Sequence, residues 1–274
     1  MSKPNGWQLA TNVVLWIGAL LMLLPLIWMT LTTLKTNGQI WKIPIEWLPN
    51  PLTFENFTIV WERVPVLRLF FNSFFVSAST TLLQVLFASL AAYAFARIRF
   101  WGREAIFMLF LGTMMIPNYV LIIPLYMIMD ALRLLDTYWA LILPGIVTAF
   151  SIFLMRQFFL SIPKDLDEAA FIDGANRLQI LFRVILPLSK PALAALTIFV
   201  FMNQWNDFFW PLIAVSSEHM RTLQLGLAYF QQANTTEWGP LMAVSLIATL
   251  PVLVVFAFAQ RWFIQGITMT GLKG

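Results

Sequence analysis

The chain has 274 residues, of which 60% are hydrophobic and only 11% charged, against about 25% charged in ordinary soluble domains. Seventeen Lys and Arg and 13 Asp and Glu are too few to hydrate a globule of 31.4 kDa with mean hydropathy +0.79, so the excess apolar surface must face lipid. The absence of cysteine and the single histidine exclude disulfide scaffolds, thiolate metal sites, Cys nucleophiles and His-cluster zinc centres.

A bilayer core about 30 Å thick takes roughly 20 apolar residues as helix, and six charge-poor stretches meet that length. They are Val13–Leu34, Leu69–Ala96, Ala105–Met129, Thr137–Met155 with the span carried on to residue 158, Pro191–Ser217 with Asp207 inside it, and Trp238–Gln260. Their continuous apolarity predicts helices, since membrane barrel strands alternate over about 10 residues. The first stretch reads as a retained helix, because it exceeds the 7–15 residues of a signal-peptide core and no A-x-A-like site follows. The prediction is a single all-α domain, 1–274, with six transmembrane helices at 13–34, 69–96, 105–129, 137–158, 191–217 and 238–260, and a tail at 261–274.

The basic residues set the orientation. With the N-terminus inside, the inner side carries Lys3, Arg97, Arg99, Arg103, Arg156, Lys164, Arg177, Arg183, Lys190, Arg261 and Lys273, which is 11 of the 17. The outer side carries Lys35, Lys42, Arg63, Arg68, Arg133 and Arg221. The excess of positive charge predicts both termini in the cytoplasm, and the pI of about 9.6 needs no nucleic-acid partner.

The outer connection Lys35–Arg68 holds Pro44, Pro49, Pro51 and Pro65 with Trp41, Trp47 and Trp61, a pattern suited to an interfacial aromatic belt or to the docking of an external partner. The longest inner connection, 161–190, is the most charged part of the chain. Ser161 and Pro163 followed by Asp165, Asp167 and Glu168 predict a helix start. Gly174 breaks that helix, and Arg177–Ile185 reads as a second one ended by Pro187 and Pro191. Composition alone would make this a solvated amphipathic loop.

Asn203, Gln204, Asn206 and Asp207 stand inside the fifth stretch, beside Trp205 and Trp210. Polar groups at that depth face a bundle interior or a wet cavity. Pro211 leaves the Asp207 carbonyl without its helical donor, so a kink is expected there. Two roles compete for these residues: the polar groups satisfy the broken helix and pack against another subunit, or Asn203, Trp205, Asn206, Asp207 and Trp210 are candidate translocation-path residues lining a wet cavity. Tryptophan faces and amides suit polar solutes that also carry an apolar face. His219 stands alone in an outer loop and reads as a solvated residue.

The run EAAFIDGANRLQILFRVILP, Glu168 to Pro187, resembles the EAA loop of ABC importer permeases, with Val184 where the family usually has isoleucine. NSFFVSASTT (72–81), IPLYMIMDALRLLDTYWALILP (123–144), NQWNDFFWPL (203–212) and GITMTGLKG (266–274) extend the resemblance to the MalG-type permease subunits of the carbohydrate-uptake group. The resemblance implies a type I importer fold in a bacterial or archaeal cell (inner) membrane. It implies a sister permease subunit, two cytoplasmic ATPase subunits, an extracytoplasmic solute-binding protein and a sugar substrate. It also implies that Glu168, Ala169, Ala170, Asp173, Gly174, Leu186 and Pro187 form the ATPase-coupling element. Glycerol-phosphate or polyol substrates stay open at this point, as do an ion-coupled secondary transporter, a channel and an intramembrane enzyme. No G-x-x-x-x-G-K-[ST] run occurs, so the chain is expected to be no enzyme and to carry no cofactor, with ATP and Mg held by partner subunits.

Overall fold

The computed structural model describes residues 6–231 and 235–270, with side chains at 7, 11–231 and 235–257. Lys3, Lys273 and the final residues 271–274 lie outside the described residues, as do the side chains of Arg261 and of the rest of the 261–274 tail. Among the described residues every regular element is helical, apart from an isolated bridge between Gln231 and Thr236. The chain divides into two compact units, one taking the chain up to Val66 with Gly226–Leu250, the other Leu67–Leu225 with the chain from Pro251 onward.

Three helical stretches, Thr11–Thr33, Val66–Arg97 and Trp238–Ala257, are long and apolar enough to cross a bilayer unbroken. The first and second of these overlap the predicted 13–34 and 69–96. The most apolar 18 residues of Thr11–Thr33 include none that is buried inside the chain, so the Leu, Ile and Trp side chains there require lipid or a partner around them. The last belongs to a helix running from Trp238 to Thr270, ten residues past the expected end.

The other expected spans are bent pairs. Arg103–Thr113 and Asn118–Ala131 meet at 92°, and Tyr138–Gly145 and Ala149–Ser161 at 44°. Pro117 and Pro144 sit at these breaks, where the missing N–H interrupts the hydrogen-bond ladder. The fifth stretch holds the helix Lys190–Trp205, a gap at 206–208 and the helix Phe209–Ala214. The break expected from Pro211 is thus a full interruption centred on Asp207.

In the first unit, Lys35 is buried under the chain with its ammonium 4.3 Å over the Trp28 ring. Asn56 donates to the carbonyls of Thr33 at 2.9 Å and Lys35 at 2.7 Å, which closes the end of the first helix. Trp41, Trp47 and Trp61 remain exposed.

The second unit is organised by the 32-residue helix Val66–Arg97. At 1.5 Å per residue it is about 48 Å long, so its ends project beyond a hydrocarbon core of about 30 Å. Ala88, Ala92 and Ala96 form a buried small-residue stripe at helical spacing. Against it pack Ile152, Met155 and Phe159 from Ala149–Ser161, Ile180, Leu181 and Ile185 from the inner connection, and Leu196 from Lys190–Trp205. Small side chains let the backbones approach closely. Nearer its start the same helix buries Asn72, Ser73, Ser77, Thr80, Thr81 and Gln84, a polar stripe that lipid could not solvate.

Candidate functional site

The inner connection folds as a knob of two short helices. Asp165–Ile172 carries Asp165, Asp167 and Glu168 in its first turn, where carboxylates face the positive end of the macrodipole. Ser161 is not its cap. It ends the preceding helix, with Oγ donating to the Phe158 carbonyl at 2.7 Å, and Lys164 holds the cap position. Gly174 turns the chain with φ +83°, a left-handed conformation that disfavours any Cβ. Asn176 then starts the second helix with a reciprocal cap: its Oδ1 accepts from Gln179 N–H at 2.9 Å, and Gln179 Oε1 accepts from Asn176 N–H at 2.8 Å.

That second helix does not stop before Pro187. It passes through a π-helical turn, Leu181–Ile185, and continues to Leu188, the wider turn accommodating the proline that follows. Ile180, Leu181 and Ile185 are 0% exposed; each such buried side chain contributes roughly 1.5–3 kcal/mol. One end of the knob is therefore continuous with the membrane core.

The other end is held by charge. Arg97, the last residue of the long helix, places Nε 3.0 Å from Asp167 Oδ2, both side chains largely buried, and its Nη2 donates to the Ile162 carbonyl at 2.7 Å. Burial raises the Asp167 carboxyl above the usual carboxylate range, with Arg97 and Arg177 pulling it back down. Nearby, Arg156 Nη2 donates to both carboxylate oxygens of Glu104 at 2.9 Å, and its guanidinium lies 4.0 Å over the Phe107 ring. Sequence reasoning took Asp167 only as a helix-start acid and Arg97 only as one of the basic residues that set orientation, and did not pair them; the signal was a basic residue closing a long apolar helix opposite the most acidic stretch.

Glu168, Ala169, Asp173, Gly174 and Pro187 are exposed, and Ala170 and Leu186 half-buried. Around Glu168 the knob shows Leu166 at 41%, Phe171 at 43%, Ile172 at 87% and Leu178 at 59% exposure. An apolar rim around a carboxylate, on a rigid base, has the make-up of a docking surface.

The polar cluster of the fifth stretch is not brought together as one site. Trp205 is 1% exposed and packs edge-on to Phe70 and stacked with Phe201. Trp210 is buried, and its indole N–H donates to the Ala140 carbonyl at 2.8 Å. Both indoles, expected among path candidates, are core residues of this chain and present no free ring face for stacking. Asn203 and Asn206 are exposed, and Asp207 is half-buried. Asn206 Nδ2 donates to the Met202 carbonyl at 2.8 Å and Asp207 Oδ1 accepts from Trp210 N–H at 3.4 Å, so these side chains close the two helix ends at the break.

At the other end of this unit, Asn72 donates to the carbonyls of His219 and Arg221 at 2.9 and 2.8 Å and accepts from Tyr138 Oη at 2.7 Å. Ser73 Oγ accepts from Leu223 N–H at 2.7 Å. The 72–81 motif thus anchors the 216–223 segment, and His219 contributes its carbonyl while its side chain stays exposed. Asp136 accepts from Ser216 and Ser217 N–H at 3.1 and 2.9 Å and from the Ser217 hydroxyl. These bonds hold its carboxyl below the usual range.

The chain as a whole has known counterparts. Residues 84–269 match the family described as binding-protein-dependent transport system inner membrane component. The chain belongs to that family. It is 35% identical over 271 residues to the arabinooligosaccharides transport system permease protein AraQ of Bacillus subtilis (strain 168), covering 98% of this chain and 96% of that protein. It is 33% identical to the sn-glycerol-3-phosphate transport system permease protein UgpE of Yersinia enterocolitica serotype O:8, covering 97% and 98%. Among solved structures it resembles, with TM-score 0.83 and 28% identity, a chain of a bacterial ABC transporter involved in the import of the acidic polysaccharide alginate, covering 94% of this chain and 96% of that one. The chain is thus an importer permease subunit of the type I fold, a multi-pass membrane protein, and the carrier, channel and enzyme readings give way.

Proposed function

We propose that this permease moves a sugar or sugar-like solute, with a sister permease completing the path, an extracytoplasmic binding protein delivering the solute and two cytoplasmic ATPase subunits supplying energy. The observation that carries the reading is the knob, which exposes Leu166, Phe171, Ile172 and Leu178 together with Glu168 on a base fixed by Arg97–Asp167 and by buried Ile180, Leu181 and Ile185. A close-packed base transmits displacement instead of absorbing it, so closure of an ATPase dimer gripping the rim would move the helices joined to the core. The distribution of Lys and Arg supports a cytoplasmic location for the knob and both termini.

A saccharide suits the exposed groups at the break in the fifth stretch. Asn203 and Asn206 offer neutral donors and acceptors, and the charged group beside them, Asp207, is acidic. A carboxylate there disfavours an anionic solute such as glycerol-phosphate and suits the hydroxyls of a neutral one. Arabinooligosaccharide import by the AraQ system agrees with this choice.

The test uses the purified complex with Glu168→Lys. ATPase subunits should be lost, or hydrolysis should cease to respond to the loaded binding protein, while the permease pair still inserts. Retained ATPase subunits with transport at the unmodified rate would remove the knob from the coupling role. Screening neutral sugars against glycerol-phosphate for stimulation of hydrolysis decides the solute class.

A further inference from the structure

The corner between the end of the Val66–Arg97 helix and the knob encloses a cavity of about 340 Å³. This is some ten times the roughly 30 Å³ share of one water, room for a multi-oxygen group with its hydration. Its walls are cationic: Arg97, Arg99, Arg103, Lys164 and Arg177 face it against the carboxylates of Asp167 and Glu168.

Most of these cations are engaged. Arg97 is held by Asp167, Arg103 pairs with Glu104 at 2.9 Å, and the Arg177 guanidinium lies 5.3 Å over the Phe171 ring. Arg99 and Lys164 pair with no carboxylate among the described residues. Deeper in, Arg97 Nη1 and Tyr93 Oη are buried without a hydrogen bond among the described residues, the Arg97 side chain being 3% exposed. Buried donors in that state call for an acceptor, and the remaining Nη1 of a guanidinium, flanked by the unpaired cations Arg99 and Lys164, matches a phosphate oxygen in charge and donor chemistry. Asp167 Oδ1 is a buried acceptor without a hydrogen bond, which a hydroxyl carried beside the phosphate would satisfy.

The turn that feeds the cavity reads Arg99-Phe100-Trp101-Gly102-Arg103, with Phe100 41% and Trp101 98% exposed. Cations interleaved with outward aromatic rings mark a membrane–water interface. We propose that this cavity binds a phosphate group, presented by a hydroxyl-bearing anionic lipid headgroup, which braces the knob against the end of the long helix. The site shares Glu168 and Phe171 with the proposed docking face, while its charge and geometry are independent of which solute is transported.

The experiment places the assembled importer in phosphatidylcholine nanodiscs containing increasing phosphatidylglycerol and counts retained lipid by native mass spectrometry. A second arm titrates inorganic phosphate into complexes in pure phosphatidylcholine. Both arms compare the unmodified chain with Arg99→Gln/Lys164→Gln and with a charge-matched control, Arg68→Gln/Arg133→Gln. Saturable phosphatidylglycerol retention should weaken about 25-fold in the first variant, at roughly fivefold per cation beside an anionic headgroup, and hold in the control. Phosphate binding with the same variant sensitivity, without lipid retention, would keep the phosphate site and overturn its lipid source. Neither ligand bound, or equal retention by all three proteins, or equal losses in both variants, overturns the proposal.

Discussion

The knob at 165–188 and the polar cluster at 203–210 both stand out by sequence, and they use their polar residues in opposite ways. In the knob the recognisable residues Glu168, Ala169 and Gly174 are exposed, and the force that holds them comes from Arg97 and Asp167, outside the motif run, and from the buried Ile180, Leu181 and Ile185 within it. In the cluster the conspicuous tryptophans are buried and bonded within the chain, and only the amides reach the surface. Protrusion from the bilayer has to be specified by solvent-facing chemistry, whereas a broken helix inside it must first satisfy its own backbone.

The largest effect should come from the base of the knob. Asp167→Ala leaves the largely buried Arg97 guanidinium without its partner, a loss of about 3–5 kcal/mol. Expected outcomes are a lowered thermal midpoint of the purified complex and a protease-sensitive inner connection, with Glu168→Lys leaving both unchanged. A reversed ranking of the two variants would erase the division between base and docking face.

The cluster divides in the same way. Trp210→Phe keeps an aromatic ring but leaves the Ala140 carbonyl without its indole donor, costing about 1–3 kcal/mol, and should lower the amount of assembled complex. Asn206→Ala removes an exposed amide from a helix end and should alter solute-stimulated hydrolysis with little change in assembly. Equal assembly of the two variants, with altered solute preference in Trp210→Phe, would return the indole to the path.

Much of this was legible in the sequence. Charge gaps located the apolar stretches, and Gly174 announced its turn because only a residue without Cβ takes φ +83° at low cost. The Arg97–Asp167 pair was not legible, since its partners are 70 residues apart and each has a local explanation: a basic residue at the inner end of a helix and an acid in a first turn. Nor were the burial of Trp205 and Trp210, because an indole inside an apolar run reads alike whether it faces lipid, a path or a core. The bends at Pro117 and Pro144 had a written signal that the count of apolar residues overrode.

Gly174 gives a smaller effect and sharpens the account of the knob. Nothing lies within 4 Å of a Cβ built there, so Gly174→Ala suffers only the left-handed backbone, about 1–2 kcal/mol. Gly174→Asn should cost less than Gly174→Ala, because asparagine tolerates that conformation. Thermal midpoints in the order Gly, Asn, Ala, with ATPase binding following the same order, would tie the aim of the knob to backbone conformation. A large loss in the alanine variant would mean that the surrounding space is filled in the assembled complex.

The smallest effect concerns the end of the unit away from the knob. Asp136 accepts charge-assisted hydrogen bonds from the Ser217 hydroxyl and from the Ser217 and Ser216 N–H groups, and these depress its carboxyl, the hydroxyl most. A carboxyl whose folded value lies below the unfolded one, about 3.9, binds its proton more readily in the unfolded chain. Its contribution is therefore present above about pH 4 and lost as pH falls through the depressed folded value. Asp136→Asn keeps an acceptor but no charge, so the variant should be slightly less stable at neutral pH and equal to the unmodified chain in acid. The measurement is the difference in thermal midpoint between the two proteins across that range. Arg97–Asp167 should behave otherwise: burial raises the Asp167 carboxyl, so protonation begins at higher pH there. A difference between Asp136→Asn and the unmodified chain that persists unchanged in acid would show that the amide loses shape complementarity rather than charge, and would leave the carboxylate without an electrostatic part in holding this loop.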